Sequence, residues 1–216
     1  MNWDNLSLIL KQYYQDKGLS EWFTNDEKYL SESFIEIDKL WLKNYNSIDT
    51  INYVMISEAP LWGEEKKYIY NPKINNSQYF YRSDLEYALN KTIHNKGDFL
   101  EELIAIGFII IDISPFVLNA KSTVINYRTI SKTDYKRLLI ETFPIYFSER
   151  LELIKTKTSN SVKYFHRYSR VRKAFNELIS KIIFKNKLVR SQNEIFDISQ
   201  DGGGINKIVL NEIING

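Results

Sequence analysis

The chain contains no cysteine, which excludes disulfides, thiol nucleophiles and any cysteine-ligated zinc or iron–sulfur site. Histidine is nearly as scarce. His94 and His166 are the two present and lie far apart, so no histidine-rich metal centre is expected and no metal or other cofactor is required. Proline and glycine are sparse, while Ile, Asn, Lys and Tyr are abundant; this is the composition of an AT-rich coding sequence and carries no functional information. No apolar run reaches the roughly 18 residues of a membrane-spanning helix. The start Met1-Asn2-Trp3-Asp4 lacks the basic and apolar regions of a secretion signal, so no membrane is expected and the expected location is the cytoplasm.

What is present belongs to an ordinary folded protein, with 44% apolar and 26% charged residues over 216 positions. That length suits one well-buried core. The pattern divides the chain into an N-terminal helical extension, residues 1–48, and an α/β domain, residues 49–216. In the extension, Leu6, Ile9, Leu10 and Tyr13 follow a possible cap at Asp4 and end at Gly18, and Leu30, Phe34, Ile37 and Trp41 form an amphipathic stripe. Beyond it, Tyr53-Val54-Met55-Ile56-Ser57 and Phe108-Ile109-Ile110-Ile111 read as buried strands, with helices between them capped by Ser83 or Asp84 and by Asp98. The first of these helices is expected to run to His94, and the second to close at Gly107. Strands joined through helices are parallel. Further helices follow near residues 131–155, broken at Pro144, then a third strand at 162–165 and a helix through Val171, Phe175, Leu178 and Ile182. A fourth strand falls at Leu188-Val189 or Ile195-Phe196, with a closing helix from Ile205 to Ile214. The second strand's apolar faces call for helices on both sides of the sheet.

Both strands stop at a carboxylate followed by proline: Glu58-Ala59-Pro60 and Asp112-Ile113-Ser114-Pro115. Ligands of open parallel sheets bind outside the carboxyl ends of the strands, so Glu58 and Asp112 are the candidate catalytic residues. The competing reading is that Glu58 caps a helix or bonds its own loop, and that Asp112 only ties down its turn. The long segment 58–79 and the aromatic residues Trp62, Tyr79, Phe80 and Tyr81 beside it offer faces on which a base can stack; several aromatics in a chain with 14% of them must be core. Phe80 is the first choice.

Net charge is only +2, but it is unevenly spread. Residues 1–50 hold five Lys against nine Asp and Glu, while residues 155–190 hold seven Lys and four Arg against Glu177 alone. Lys163, Arg167, Arg170 and Arg172, interleaved with Tyr164, His166 and Tyr168, form the footprint of a phosphate-backbone binder. Alternatively, these bases pair with the acidic extension or are simply solvated. Asp201-Gly202-Gly203-Gly204 before the closing helix, with Lys207 one turn inside it, is either a phosphate cradle or a flexible loop. His94 suits a helix end, and His166 is read as a surface residue.

In order, these features resemble the uracil-DNA glycosylase superfamily over roughly residues 50–214. The likeness rests on Ser57-Glu58-Ala59-Pro60, the aromatic loop through Tyr79-Phe80-Tyr81, the strand ending Asp112-Ile113-Ser114-Pro115, and the late loop Ser199-Gln200-Asp201-Gly202-Gly203-Gly204. The resemblance implies a three-layer α/β/α sandwich around a short four-stranded parallel sheet. It implies Glu58 and Pro60 near the scissile glycosidic bond, Phe80 and Tyr81 stacking a flipped base, Asp112 with Ser114 reading its edge, and residues 199–204 gripping DNA. Departures are Ser57 for the first-motif glycine, Ala59 where several branches carry a water-activating Asp or Asn, the absent His-Pro-Ser signature, and Asp112 where many relatives have Asn. An ionised Asp112 presents acceptors only, which suits a base presenting donors, such as cytosine or adenine; a neutral Asp112 does not have this restriction.

The expected function is therefore nucleic-acid binding, DNA ahead of RNA, with hydrolysis of the N-glycosidic bond of an extruded base if the chain is catalytic. The alternatives are a non-catalytic nucleic-acid binder, and an enzyme or binder of a free nucleotide or small phosphorylated ligand. A protein partner is not specified by the sequence.

Overall fold

In a computed structural model of the protein, residues 1–74, 80, 82–189, 195–200 and 204–216 are described. Among them run α1 (Trp3–Asp16), α2 (Ser20–Ser47), β1 (Ile51–Ser57), α3 (Arg82–Leu89), α4 (Lys96–Ala105), β2 (Phe108–Asp112), α5 (Lys132–Thr142), α6 (Phe147–Lys155), β3 (Thr158–His166), α7 (Ser169–Lys185), β4 (Ile195–Asp197) and α8 (Lys207–Asn215). The four strands form one parallel sheet in the order β2-β1-β3-β4. This is the α/β fold expected, with helices grouped on the sheet as in a three-layer α/β/α sandwich and two helices ahead of the first strand.

The pleat sorts the helices. Tyr53, Phe108 and Lys163 are register partners and share one face. On it the Tyr53 hydroxyl and the Lys163 ammonium donate to the carbonyls of Ile214 and Ile213 at the end of α8, at 2.9 and 2.7 Å. Phe108 stacks there on Phe80 and approaches Phe165 edge-on. His166, on the opposite face, bonds to Asn176 of α7, and Phe175 of that helix packs on Phe143 at the end of α5.

β2 is an edge strand, all five of whose residues are buried. The outward backbone groups of Ile110 at its middle are satisfied by side chains: Ile110 N–H donates to the Tyr70 hydroxyl at 2.7 Å, and the Trp41 indole donates to Ile110 C=O at 2.9 Å. The edge thus presents no free template for another strand at that position. This explains the length of the segment after β1, which has to wrap the edge far enough to bring Tyr68, Ile69 and Tyr70 under it.

The N-terminal helices are built into the molecule. Ile37, Trp41 and Tyr45 of α2 join the main core, while α1 and the first half of α2 form a second cluster with Phe116, Leu118, Ile125, Leu138 and Tyr146. Buried Asp26 accepts hydrogen bonds from the Tyr14 hydroxyl and from Val124 N–H. Residues 113–131 are thereby fixed from outside.

Boundaries differ from the sequence reading in instructive ways. Asn2 and Asn95 cap α1 and α4, accepting from the N–H groups of Asp4 and Asp98, which instead place their carboxylates in the first turn, a favourable position in the helix dipole. α3 stops at Leu89, so His94 lies in a loop where its carbonyl accepts from Arg82. Of the two options for the last strand, Ile195–Asp197 is the one formed.

Gly107 enters β2 with φ +70, and a Cβ there would sit 2.1 Å from the Thr50 carbonyl; its own carbonyl accepts from Asn52 and Tyr53. Gly18 has nearly the same φ but open space around it. Gly107→Ala should therefore cost clearly more than the roughly 1–2 kcal/mol of left-handed strain expected for Gly18→Ala. Urea midpoints of the two variants measure the difference; equal losses would contradict the close packing at Gly107.

Candidate active site

Register builds the site. Ser57 at the end of β1 pairs with Asp112 at the end of β2, and the ladder continues one residue further: Ile113 N–H donates to Ser57 C=O at 3.1 Å and Ser114 N–H to Glu58 C=O at 2.9 Å. On the other flank Arg167 N–H donates to Ile56 C=O at 2.9 Å. β1 sends its connection toward β2 and β3 sends its own toward β4, so the strand order reverses between β1 and β3, and Glu58 stands at that crevice.

Glu58 is 7% exposed and ion-paired to Arg170, in the first turn of α7, whose own side chain is largely in solvent. Burial raises the pKa of Glu58 above the usual carboxylate range; the Arg170 charge and the Tyr135 hydroxyl partly offset this. Asp112 is fully buried, and burial pushes its pKa up to about 7. The Ser57 hydroxyl, the Arg150 charge and the Tyr68 hydroxyl act the other way, and the charge of Glu58 raises it further. Both carboxylate oxygens of Asp112, Ser57 Oγ and Tyr135 Oη are buried, and none makes a well-aligned hydrogen bond among the described residues, although the Ser57 and Tyr68 hydroxyls stand near Asp112 and the Tyr135 hydroxyl near Glu58. Such concentrations of unsatisfied polar atoms are uncommon in folded proteins. Arg150, buried with one ion pair to Asp38 at 2.6 Å, lies 3.7 Å over Trp41 and supplies the positive field behind Asp112.

In front of this cluster lies a cleft of about 510 Å³, walled by Glu58, Pro60, Tyr127, Tyr168, Arg170 and Gln200. A second cleft of about 460 Å³, containing Trp62, meets it at Pro60, Leu61 and Tyr127. Asp112 lies beneath the first cleft and does not line it.

Other candidate residues fall elsewhere. Phe80 is fully buried against Phe99 and Phe108, at the start of β2 and four residues short of Asp112, so it is a core residue that does not reach the cleft. Ser114 is fully buried, and its hydroxyl accepts from Phe116 N–H at 3.2 Å within the turn. Tyr79, Tyr81, Asp201, Gly202 and Gly203 lie outside the described residues. Gly204 offers its carbonyl to Arg167 at 3.2 Å, and α8 begins three residues later with its first turn capped by Asn206.

The basic stretch does not converge on the cleft. Lys163 bonds a carbonyl of α8; Arg167 is buried over Tyr168; Arg172 pairs with Asp197 at 2.6 Å; and Lys207 lies 3.5 Å from Asp84. Of the backbone-binding candidates, Arg170 lines the cleft. Nor, among the described residues, do these bases pair with the acids of the extension: Lys157 reaches it, but bonds the carbonyls of Tyr45 and Ile48 at the end of α2. His166 is not a surface residue. It is fully buried, with Nε2 2.9 Å from Asn176 Oδ1, and burial lowers its pKa. Tyr127, Tyr135 and Arg150 were missed as site residues, because nothing in the local sequence distinguishes them from other aromatic and basic positions.

No family model, curated protein or solved structure matches the chain. Among the described residues no group of three or more His, Asp or Glu side chains is arranged to hold a metal ion, and the site consists of two buried carboxylates, their hydroxyl neighbours and one arginine at the cleft.

Because the folded-state pKa of Asp112 lies above its ordinary value near 3.8, the native protein holds this proton more tightly than the unfolded chain. Its contribution to stability is complete below pH 4 and is lost as pH rises through about 7. Urea unfolding from pH 4 to 8 should show this decline in wild type and a shallower one in Asp112→Asn. Parallel curves would place Asp112 in a solvated setting.

Proposed function

We propose that the chain is an N-glycosidic-bond hydrolase of uracil-DNA glycosylase-like architecture, acting on a base turned out of a DNA strand. The observation that carries this reading is the β1–β2 register, which puts Glu58 and Asp112 at one sheet end with different environments. Breaking an N-glycosidic bond develops positive charge on the sugar and negative charge on the departing base. Glu58, ionised and steadied by Arg170, suits the first charge or the orientation of a water. Asp112, its pKa pushed up to about 7, lies beneath the cleft and touches no ligand there; it acts on the site as the buried neighbour of Glu58. Two carboxylates driven to different protonation states are a recurrent arrangement for acid and base roles. Tyr127 and Tyr168 take over the stacking role that Phe80 cannot fill from the core.

A second reading is favoured by one specific observation. Lys163, Arg167, Arg172 and Lys207 are committed to protein partners, so the cleft presents far less positive charge than the sequence implies. A free nucleoside or nucleotide would suit such a site better than a long duplex, whose binding normally rests on many phosphate contacts.

Oligonucleotides carrying uracil, hypoxanthine, xanthine or normal bases, together with the matching free nucleosides, test both readings by chromatography of released base and by alkali-labile sites. Wild type should release one base, and Glu58→Gln should do so at least about 100-fold more slowly. Release from nucleosides alone would move the assignment to the free ligand. Retention of oligonucleotide without any release would identify a non-catalytic binder, and neither retention nor release would overturn both.

A further inference from the structure

The Glu58 cleft has no cation to spare. Arg170 in its wall is paired with Glu58, and no other lysine or arginine among the described residues lines it. A ligand carrying a phosphate therefore needs positive charge from elsewhere, and the adjoining Trp62 cleft holds it. The two clefts share Pro60, Leu61 and Tyr127, so they form one continuous groove, and Lys67, Lys121 and Arg128 stand in the walls of its second half. Lys67 is paired at 2.5 Å with Glu65 of the same cleft. Lys121 and Arg128 are exposed, and neither side chain has an ion pair or hydrogen bond among the described residues. Glu64, also exposed and without an ion pair there, leaves two free cations against one free carboxylate.

Local sequence fixes where these two cations stand. Asn119 and Asn126 each accept with Oδ1 from the backbone N–H two residues on, that of Lys121 and that of Arg128, both at 3.0 Å. One turn, asparagine followed two residues later by a base, is thus made twice. Asn126 also donates to the carbonyls of Thr123 and Val124, at 3.1 Å each, and buried Asp26 accepts from Val124 N–H at 2.7 Å. The backbone beneath both side chains is therefore set before a ligand arrives, which lowers the ordering cost of binding. Asn119 adds a neutral donor. Its Nδ2 makes no hydrogen bond among the described residues and lies so close to Gly63 that a Cβ there would be 2.6 Å away.

We propose that the Trp62 cleft is the phosphate subsite of this groove: a ligand whose base and sugar lie at Glu58 places a phosphate against Lys121, Arg128 and the Asn119 amide. This rests on the reading of the Glu58 cleft as the place of the glycosidic bond, and it narrows the substrate class to phosphorylated nucleosides. Arg128 presents a planar fork that matches two phosphoryl oxygens, and Lys121 a point charge. Pro60, Leu61 and Tyr127, where the clefts meet, offer apolar surface to the sugar between the two ends. The same phosphate chemistry comes from a free nucleotide or from the backbone of a strand.

Proton–nitrogen NMR tests this without requiring turnover. The Trp62 indole signal, assigned with Trp62→Phe among the four tryptophans, reports one cleft, and the Gln200 side-chain amide, assigned with Gln200→Glu, reports the other. The titrants are inorganic phosphate, the 5′-monophosphates of deoxyuridine, deoxycytidine, deoxyadenosine and deoxyinosine, the matching nucleosides, and an oligothymidylate. Phosphate should move Trp62 alone, in wild type and in Glu58→Gln. At least one nucleotide should move Trp62 and Gln200 with a single midpoint and bind at least about tenfold more tightly than its nucleoside, an advantage that Lys121→Glu/Arg128→Glu removes. Glu64→Gln should tighten phosphate binding. Oligothymidylate that displaces the nucleotide at lower concentration identifies a strand as the source of the phosphate, and failure to displace it identifies the free nucleotide. The subsite is overturned if phosphate and every nucleotide leave Trp62 unmoved, or if the double variant binds them as wild type does. A nucleotide that moves Trp62 and leaves Gln200 unmoved would instead contradict the reading of the Glu58 cleft.

Discussion

A carboxylate at the end of a fully buried strand has few places to go, and the position of Asp112 governs the organisation of the site. Phe108 to Ile111 are buried on both faces and paired in register with Tyr53 to Ile56, so β2 cannot slide along β1 without unpacking four apolar side chains. That register delivers Asp112 to Ser57 and leaves Glu58 one residue beyond, close enough for the charge of Glu58 to raise the pKa of Asp112. The result is an acidic pair whose members differ in burial and in counter-charge. Glu58 has Arg170 at the cleft; Asp112 has the more remote, buried Arg150, itself committed to Asp38.

The rest of the molecule maintains that arrangement. Trp41 and Tyr70 occupy the open edge of β2, and Arg150 lies over the same Trp41 ring, so one indole serves both the strand and the cation behind Asp112. α1 and α2 hold residues 113–131 through Asp26 and the second apolar cluster, and that segment carries Tyr127 to the cleft. The helices ahead of the first strand therefore contribute to the site's walls without contributing a residue to its chemistry.

Much of the scaffold was legible. β-branched runs ending in an acid and a proline marked β1 and β2, and with them Glu58 and Asp112, because a short strand buried on both faces has an unambiguous pattern. The caps were less legible, since an Asn at the cap and an Asp in the first turn look alike in sequence and only the hydrogen bond separates them. Phe80 was misjudged on nearness in sequence to the first loop; burial against Phe99 and Phe108 outweighed it. The basic stretch was misjudged for a geometric reason. A strand followed by a helix spreads Lys163, Arg167, Arg170 and Arg172 along the sheet and into different partners, so charges dense in sequence become separate in space. Conversely, Lys67, Lys121 and Arg128 lie outside that stretch and share one cleft.

The dependence of the whole site on buried Asp112 is read most directly by carbon NMR of its side-chain carboxyl across pH 3–9, in wild type and in Glu58→Gln. Burial and the neighbouring charge together place the midpoint near 7 in wild type, displaced downward when the charge of Glu58 is removed. A midpoint in the ordinary aspartate range, or one indifferent to Glu58→Gln, would contradict it.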